Sequence, residues 1–413
     1  MKRRLAAAAA VGLPLLIVVA FVIASGFPAA HRSALRPTPS PSSVLSPSPD
    51  APTPSPAPVV VAAPTSPSVP PAAVRGVPAK RTAPAPPAPS THLDSITSTS
   101  FVDDSVGFAS AATVPDPRGN FDELLFRTGD GGTTWQRVTR LGQTQYAWIQ
   151  FADAMHGWAE VGSVTEFTTN GGTTWAPITG TQVLSYVQML SPTTGFGTGG
   201  SRQIFRTTNG SSWTGASLAG TTGFATALDF VNSQTGWVVV TNGQSAQVQK
   251  SSDSAASWAV VSAADVHDRS LCFSDPSHGW RMGGISSAPP LGSNKSPVYN
   301  LQGSGASTAD GGATWTSLAM PAGLGQFDCL RQLDASRGWS TGIDSNQNRF
   351  VLWTTNGGQD WAVRPLPEGA ATWYTVEMHA DGHGWGRGTD GKRPALVRTT
   401  DGGVSWLELP PLG

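Results

Sequence analysis

Residues 128–135 read TGDGGTTW, and the same box returns as TTNGGTTW at 168–175, TADGGATW at 308–315, TTNGGQDW at 354–361 and TTDGGVSW at 399–406. Two looser copies complete the set: SSDSAASW at 251–258 lacks the glycines, and TTNGSSW at 207–213 is one residue short. Each box couples an Asp or Asn (Asp130, Asn170, Asn209, Asp253, Asp310, Asn356, Asp401) to a tryptophan (Trp135, Trp175, Trp213, Trp258, Trp315, Trp361, Trp406). A second element precedes every box and ends in Gly followed by an aromatic residue, as in Phe101 to Phe108, Phe151 to Trp158 and Phe230 to Trp237. Box tryptophans follow one another at 38 to 57 residues, which fits one four-stranded propeller blade per repeat.

Within one unit, turn residues separate four short runs, read as strands A (Tyr146 to Phe151), B (Gly157 to Val161), C (Val164 to Thr168) and D (Thr174 to Thr179). The box Asp or Asn falls in the C–D turn, where its side-chain oxygen can accept backbone N–H bonds and the glycines can take positive φ. The expected fold is all-β: a seven-bladed β-propeller of four-stranded antiparallel blades over residues 93–413, with no spare closing strand. A chain with 47 Gly, 15 Trp and 13% charged residues is no helical bundle or coiled coil. Its two cysteines allow one bridge and no four-thiolate metal site. Cys272 and Cys329 fall on the A strands of adjacent blades 5 and 6, so export would permit a bridge between them, although their registers differ by about two residues relative to the following Gly-Trp.

Ahead of the repeats the composition changes. Lys2, Arg3 and Arg4 precede an apolar run from Leu5 to Ala24, the pattern of an export segment inserted with its amino end in the cytoplasm. At 20 residues the run is long for a signal core and long enough to span a bilayer, so residues 1–30 are expected to be an uncleaved signal anchor, with Ala24-Ser25-Gly26 leaving the alternative of a cleaved signal peptide and a secreted product. Residues 31–92 form a Pro/Ser/Ala-rich tract, a disordered stalk of extended polyproline type. The expected location is the cell membrane, single-pass, with the propeller outside the cytoplasm. Of 26 basic and 27 acidic residues, 8 and one precede residue 93, leaving 18 and 26 in the repeats, a net −8 that repels phosphate backbones and argues against nucleic-acid partners.

The boxes resemble the Asp-box, or bacterial neuraminidase repeat, and five of the seven match closely. With the Gly-Trp element before each box, the pattern looks like the photosystem II assembly and stability factor family and its relatives in non-photosynthetic bacteria. That resemblance implies a propeller and a binding or assembly role. Asp boxes also occur in sialidases and some glucanases, where they brace hairpins away from the active face.

Candidate site residues follow from strand order. With A innermost, the A–B turns and boxes share one face, and the B–C and D–A loops share the other. The longest B–C insertion, Arg281 to Ala306, carries Lys295 and Tyr299; Tyr146, Arg269, Trp373 and Tyr374 come at the loop-rich mouth of the channel. These six are the expected binding residues. The box residues are assigned a structural role. His156, His278 and His383 share a turn position and His379 precedes His383 by four, but no second ligand cluster supports zinc, and no cofactor or metal is expected. The expected function is a non-catalytic extracytoplasmic platform for a protein partner of the membrane or cell envelope, held through the N-terminal helix. The alternatives are a sialidase- or glucanase-like glycosidase, a glycan-binding surface module, and a photosystem II assembly factor. The glycosidase suffers from a supply of only four tyrosines and six glutamates in the repeats.

Overall fold

The structure, a computed structural model, describes residues 93–412 apart from 182, 200–201, 221–222, 288–299, 368–371 and 391. The expected anchor (1–30) and stalk (31–92) lie outside the described residues. Among those described, no helix is long and apolar enough to cross a membrane.

Seven four-stranded antiparallel sheets follow one another, each built from four strands consecutive in sequence. Blade 1 is β1 (Leu93–Phe101), β2 (Gly107–Thr113), β3 (Glu123–Thr128) and β4 (Gln136–Gly142); blade 2 is β5 (Ala147–Phe151), β6 (Gly157–Val161), β7 (Val164–Thr168) and β8 (Ala176–Pro177). Blade 3 runs from β9 (Tyr186–Met189) through β10 (Gly195–Thr198) and β11 (Gln203–Thr207) to β12 (Trp213–Ser217), and blade 4 from β13 (Phe224–Phe230) through β14 (Gly236–Thr241) and β15 (Ala246–Ser251) to β16 (Ala259–Ala264). Blade 5 comprises β17 (Asp268–Phe273), β18 (Gly279–Ser287), β19 (Asn300–Thr308) and β20 (Thr316–Ser317), and blade 6 β21 (Leu324–Gln332), β22 (Gly338–Asp344), β23 (Arg349–Thr354) and β24 (Ala362–Pro365). Blade 7 is β25 (Thr372–Met378), β26 (Gly384–Thr389), β27 (Pro394–Thr399) and β28 (Leu407–Glu408). Among the described residues no strand is exchanged between the first and last blades. Outer strands are shorter than read from sequence: in blade 2 the expected Thr174 to Thr179 shrinks to Ala176–Pro177, where a proline removes a ladder donor.

The Gly-aromatic element acts between blades. The second-strand aromatic lies flat on the residue that ends the inner strand of the next blade: Phe108 on Phe151 at 3.5 Å, Phe196 on Phe230 at 3.4 Å, Trp237 on Phe273 at 3.6 Å. The preceding glycine is required because that inner-strand ring of its own blade occupies its Cβ position; a side chain at Gly236 would overlap Phe230. For three of the second-strand tryptophans Nε1 also donates to the carbonyl of a box residue in the next blade, as from Trp158 to Gly210 at 2.7 Å and from Trp237 to Gly311 at 2.7 Å.

A second set of bonds ties several neighbouring inner strands. At these seams the side chain one residue before the inner-strand terminus accepts the amide of the next blade's terminus: Phe151 N donates to Ser100 Oγ (2.9 Å), Phe230 N to Gln188 Oε1 (2.7 Å) and Phe273 N to Asp229 Oδ2 (2.6 Å). Blade 7 joins blade 1 by the same devices: Phe101 N to Glu377 Oε2, Trp385 Nε1 to Gly131 O, and Trp385 stacked on Phe101 at 3.9 Å. These bonds do the work that a shared strand would do.

Blades 5 and 6 carry a covalent tie as well, the disulfide between Cys272 and Cys329, whose Cα atoms are 6.2 Å apart. Ser270 fixes the same seam, its Oγ accepting Cys329 N at 2.8 Å. A register shift between Cys329 and Arg331 on β21 takes up part of the offset read from sequence.

Each box is anchored to the A–B turn of its own blade by one backbone bond, such as Gly131 N to Ser105 O and Gly402 N to Gly382 O, both within 2.9 Å. Asp130 accepts Thr134 N on one oxygen and Thr134 Oγ1 on the other, while Thr128 Oγ1 donates to Asp130 and accepts Gly132 N. These bonds hold the Asp130, Asp253, Asp310 and Asp401 carboxyls down at about 2, so the stabilisation they bring is complete above about pH 4 and is lost as pH falls towards 2. The box at 251–258 forms the same turn without glycine, leaving Ser254 and Ala255 both at φ 63. Left-handed backbone at a residue with a Cβ is strained. Ser254→Gly should therefore raise the unfolding free energy by about 1 kcal/mol, read as a higher thermal midpoint; an unchanged or lower midpoint would refute the strain.

Candidate functional site

The A–B turns and the boxes lie on one face, and the inner strands begin at the opposite, loop-rich face. The insertion expected as a loop from Arg281 to Ala306 is largely strand: β18 and β19 pair from Gly279 with Thr308 out to Ser287 with Asn300. Deleting 281–306 would thus remove most of the two central strands of blade 5 rather than a surface loop. Lys295 and Tyr299 lie outside the described residues.

The remaining sequence candidates separate. Trp373 packs into the core between blades 6 and 7 with Leu366 and Met378, and its Nε1 donates to Pro367 O, so it serves the seam. Tyr146, just before β5, Arg269 on β17 and Tyr374 on β25 join a group of charges near the start of the inner strands. Sequence reading missed Arg349, the first residue of β23, and Arg387, the fourth of β26.

Burial lowers Arg387 to about 10 against the pull of Tyr146 and Tyr374, with Arg349 adding a repulsive field. Arg349 is likewise lowered by burial, opposed by Asp328 and reinforced by Arg269. Burial raises Asp328, with Arg349 and Arg269 opposing. By surface exposure these three groups are only half-buried, as expected for side chains that line a narrow channel and are surrounded by protein while still reached by water. Some hydrogen bonds hold the arginines in place: Arg387 Nη1 to Ile96 O at 2.9 Å and Arg269 Nη2 to Gly284 O at 2.5 Å. The buried Arg349 Nε has no partner among the described residues.

Glu123 is fully buried at the start of β3, where its carboxylate accepts Thr97 Oγ1, while its Oε2 finds no partner among the described residues. Burial raises it to about 7, opposed by Thr97, Ser110 and Arg387. Burial also raises Glu160 and the Tyr146 phenol. The group sets three arginines beside Glu123, which is about half protonated near neutral pH, and two further acids whose ionisation burial disfavours. Three guanidinium groups so placed can receive a carboxylate or another anion.

The histidines are turn residues. His156 Nδ1 meets Asp153 and His278 Nδ1 meets Asp275, each at 2.9 Å. His383 pairs with Asp104 across the seam between blades 7 and 1; with Asp381 these could hold a metal ion by spacing alone, but the pairing is accounted for by closure of the ring.

No protein-family model matches the chain, and no curated protein does. Solved structures match as folds. "YCF48 bound to D1 peptide" is similar at 17% identity and TM-score 0.51, covering 76% of this chain and 94% of that one. An ancestral GH74 enzyme is similar at 10% identity and TM-score 0.55, covering 78% of this chain and 47% of the enzyme, so the chain spans about half of its length. The β-propeller domain of the Trilobed protease from Pyrococcus furiosus gives 8% identity and TM-score 0.52, covering 79% and 98%. These likenesses agree with the propeller resemblance read from the boxes, and at such identities they concern the fold.

The raised Glu123 has a consequence for stability. The folded state holds a proton that the unfolded chain releases from about pH 4.5, so this residue's contribution falls as pH rises from about 4.5 to 7 and then levels off. Glu123→Gln should flatten that part of the stability–pH curve. A slope unchanged in the variant would contradict the burial argument.

Proposed function

We propose that the propeller is a non-catalytic platform that receives a protein partner at the loop-rich mouth of its channel, where Arg269, Arg349 and Arg387 take an acidic group of that partner and Tyr146 and Tyr374 border it. The carrying observation is the convergence of three half-buried guanidinium groups from three blades: an incoming carboxylate can pair with them by charge-assisted hydrogen bonds. The solved YCF48 structure of the same fold holds a peptide, which supports a propeller as peptide receptor. In this reading the N-terminal segment anchors the chain in the cell membrane and the proline-rich tract holds the propeller away from the bilayer on the extracytoplasmic side, so the partner belongs to the membrane or cell envelope. No residue of the channel mouth points to a photosynthetic partner in particular.

A glycosidase is the second reading, favoured by one observation. Three arginines, Tyr146, Glu123 and Glu160 share one electrostatic neighbourhood, the residue types that hydrolysis of an acidic sugar would use. Two features oppose it: the Tyr146 phenol is pushed up rather than down, which disfavours the nucleophilic phenolate, and Glu123 is sealed from solvent.

Titrating labelled peptides with acidic and with basic carboxyl-terminal halves against the full-length chain tests the platform. The acidic peptide should bind in a salt-sensitive manner, and Arg349→Met should weaken it about tenfold or more, the loss of one charge-assisted bond. Equal binding of both peptides, or no effect of Arg349→Met, would refute the platform. Turnover of a fluorogenic sialoside or of xyloglucan, abolished by Tyr146→Phe, would establish the enzyme instead.

A further inference from the structure

On the opposite, box-bearing face, the seam between blades 3 and 4 is built differently from those that follow blades 2, 4 and 7. At the seams that follow blades 2, 4 and 7, the second-strand tryptophan (Trp158, Trp237, Trp385) reaches a carbonyl of the next box. Blade 3 has the smaller Phe196 at this position, its box is one residue short, and the next box lacks glycine. Arg206 takes over the bond, its Nη1 donating to Ser254 O at 3.1 Å. Blade 1 also has a phenylalanine there, but its Arg127 lies over the Phe108 ring at 5.8 Å and its box is full length. The blade 3–4 seam carries an open cleft of about 420 Å³, within the range of small-ligand sites.

The lining fixes the chemistry of a ligand. Thr194, Thr208, Thr214 and Ser233 bring hydroxyls, and Arg206 is the single charged group. Phe196 is 1% exposed, so no aromatic platform is offered for stacking. No carboxylate pairs with Arg206 among the described residues. One guanidinium amid hydroxyls matches a ligand with one oxyanion and several hydroxyls of its own. We propose that this cleft binds a small hydroxylated oxyanion, a sugar acid or a sugar phosphate, independently of the channel mouth.

Calorimetric titration of the full-length chain with glucuronate, glucose 6-phosphate, glucose and sulfate tests the assignment. Saturable binding of glucuronate or glucose 6-phosphate is expected, at least tenfold tighter than glucose or sulfate, and the tighter of the two identifies the oxyanion. Phe196→Trp should narrow the cleft and compete with Arg206 for Ser254 O, weakening binding without lowering the thermal midpoint; Arg206→Gln should weaken binding at least tenfold. Peptide capture at the channel mouth should be unaffected by Phe196→Trp, which keeps the two sites distinguishable. Absence of saturable binding by both glucuronate and glucose 6-phosphate, binding undiminished in a folded Phe196→Trp variant, or sulfate binding as tight as that of the tighter sugar ligand would overturn the proposal.

Discussion

The inner-strand amides of Phe101, Phe151, Phe230 and Phe273, each donated to a side chain of the preceding blade, are the constraint on which the rest of the ring depends. A propeller blade cannot bury both of its faces alone, so its stability comes from its neighbours. Where propellers close by sharing a strand between first and last blades, backbone ladder bonds seal the ring. Here each blade is complete in itself, and closure rests on Glu377 meeting Phe101 N, on Trp385 meeting Gly131 O and stacking on Phe101, and on Arg387 meeting Ile96 O. Side chains thus carry a task usually given to the backbone.

Arg387 links this architecture to the mouth. One of its nitrogens holds the inner strand of blade 1 while the guanidinium belongs to the positive cluster with Arg349 and Arg269. Those arginines come from the second strand of blade 7, the third strand of blade 6 and the first strand of blade 5. They converge only because the ring fixes three blades against one another. A fixed template of this kind loses little entropy when an acidic group docks, which favours recognition over a site assembled from mobile loops.

This division also explains what the sequence could disclose. The boxes and Gly-aromatic elements are local, seven times repeated, and governed by turn geometry and ring packing, so blade number and strand order were legible from residues such as Asp130 and Trp135. The arginine cluster was not, because Arg349 and Arg387 occupy ordinary strand positions whose meaning comes from the neighbouring blades. Trp373 was read as a mouth residue for the opposite reason: strand position alone does not say which side of the strand its ring packs on, and Leu366 claims it for the core. The segment 281–306 looked like an insertion loop because its glycines and serines hid two strands that extend the hairpin to Ser287 and Asn300.

The central claim is that side-chain seams join seven complete blades into one cooperative ring, leaving the mouth rigid. Native-state hydrogen exchange of the amides of Phe101, Phe151, Phe230 and Phe273 tests it most directly, since each amide is bonded across a different seam. The account predicts that all four exchange only through global unfolding, with the same opening free energy. Much faster exchange at Phe101 than at the other three would show that the ring opens between blades 7 and 1, and would contradict it.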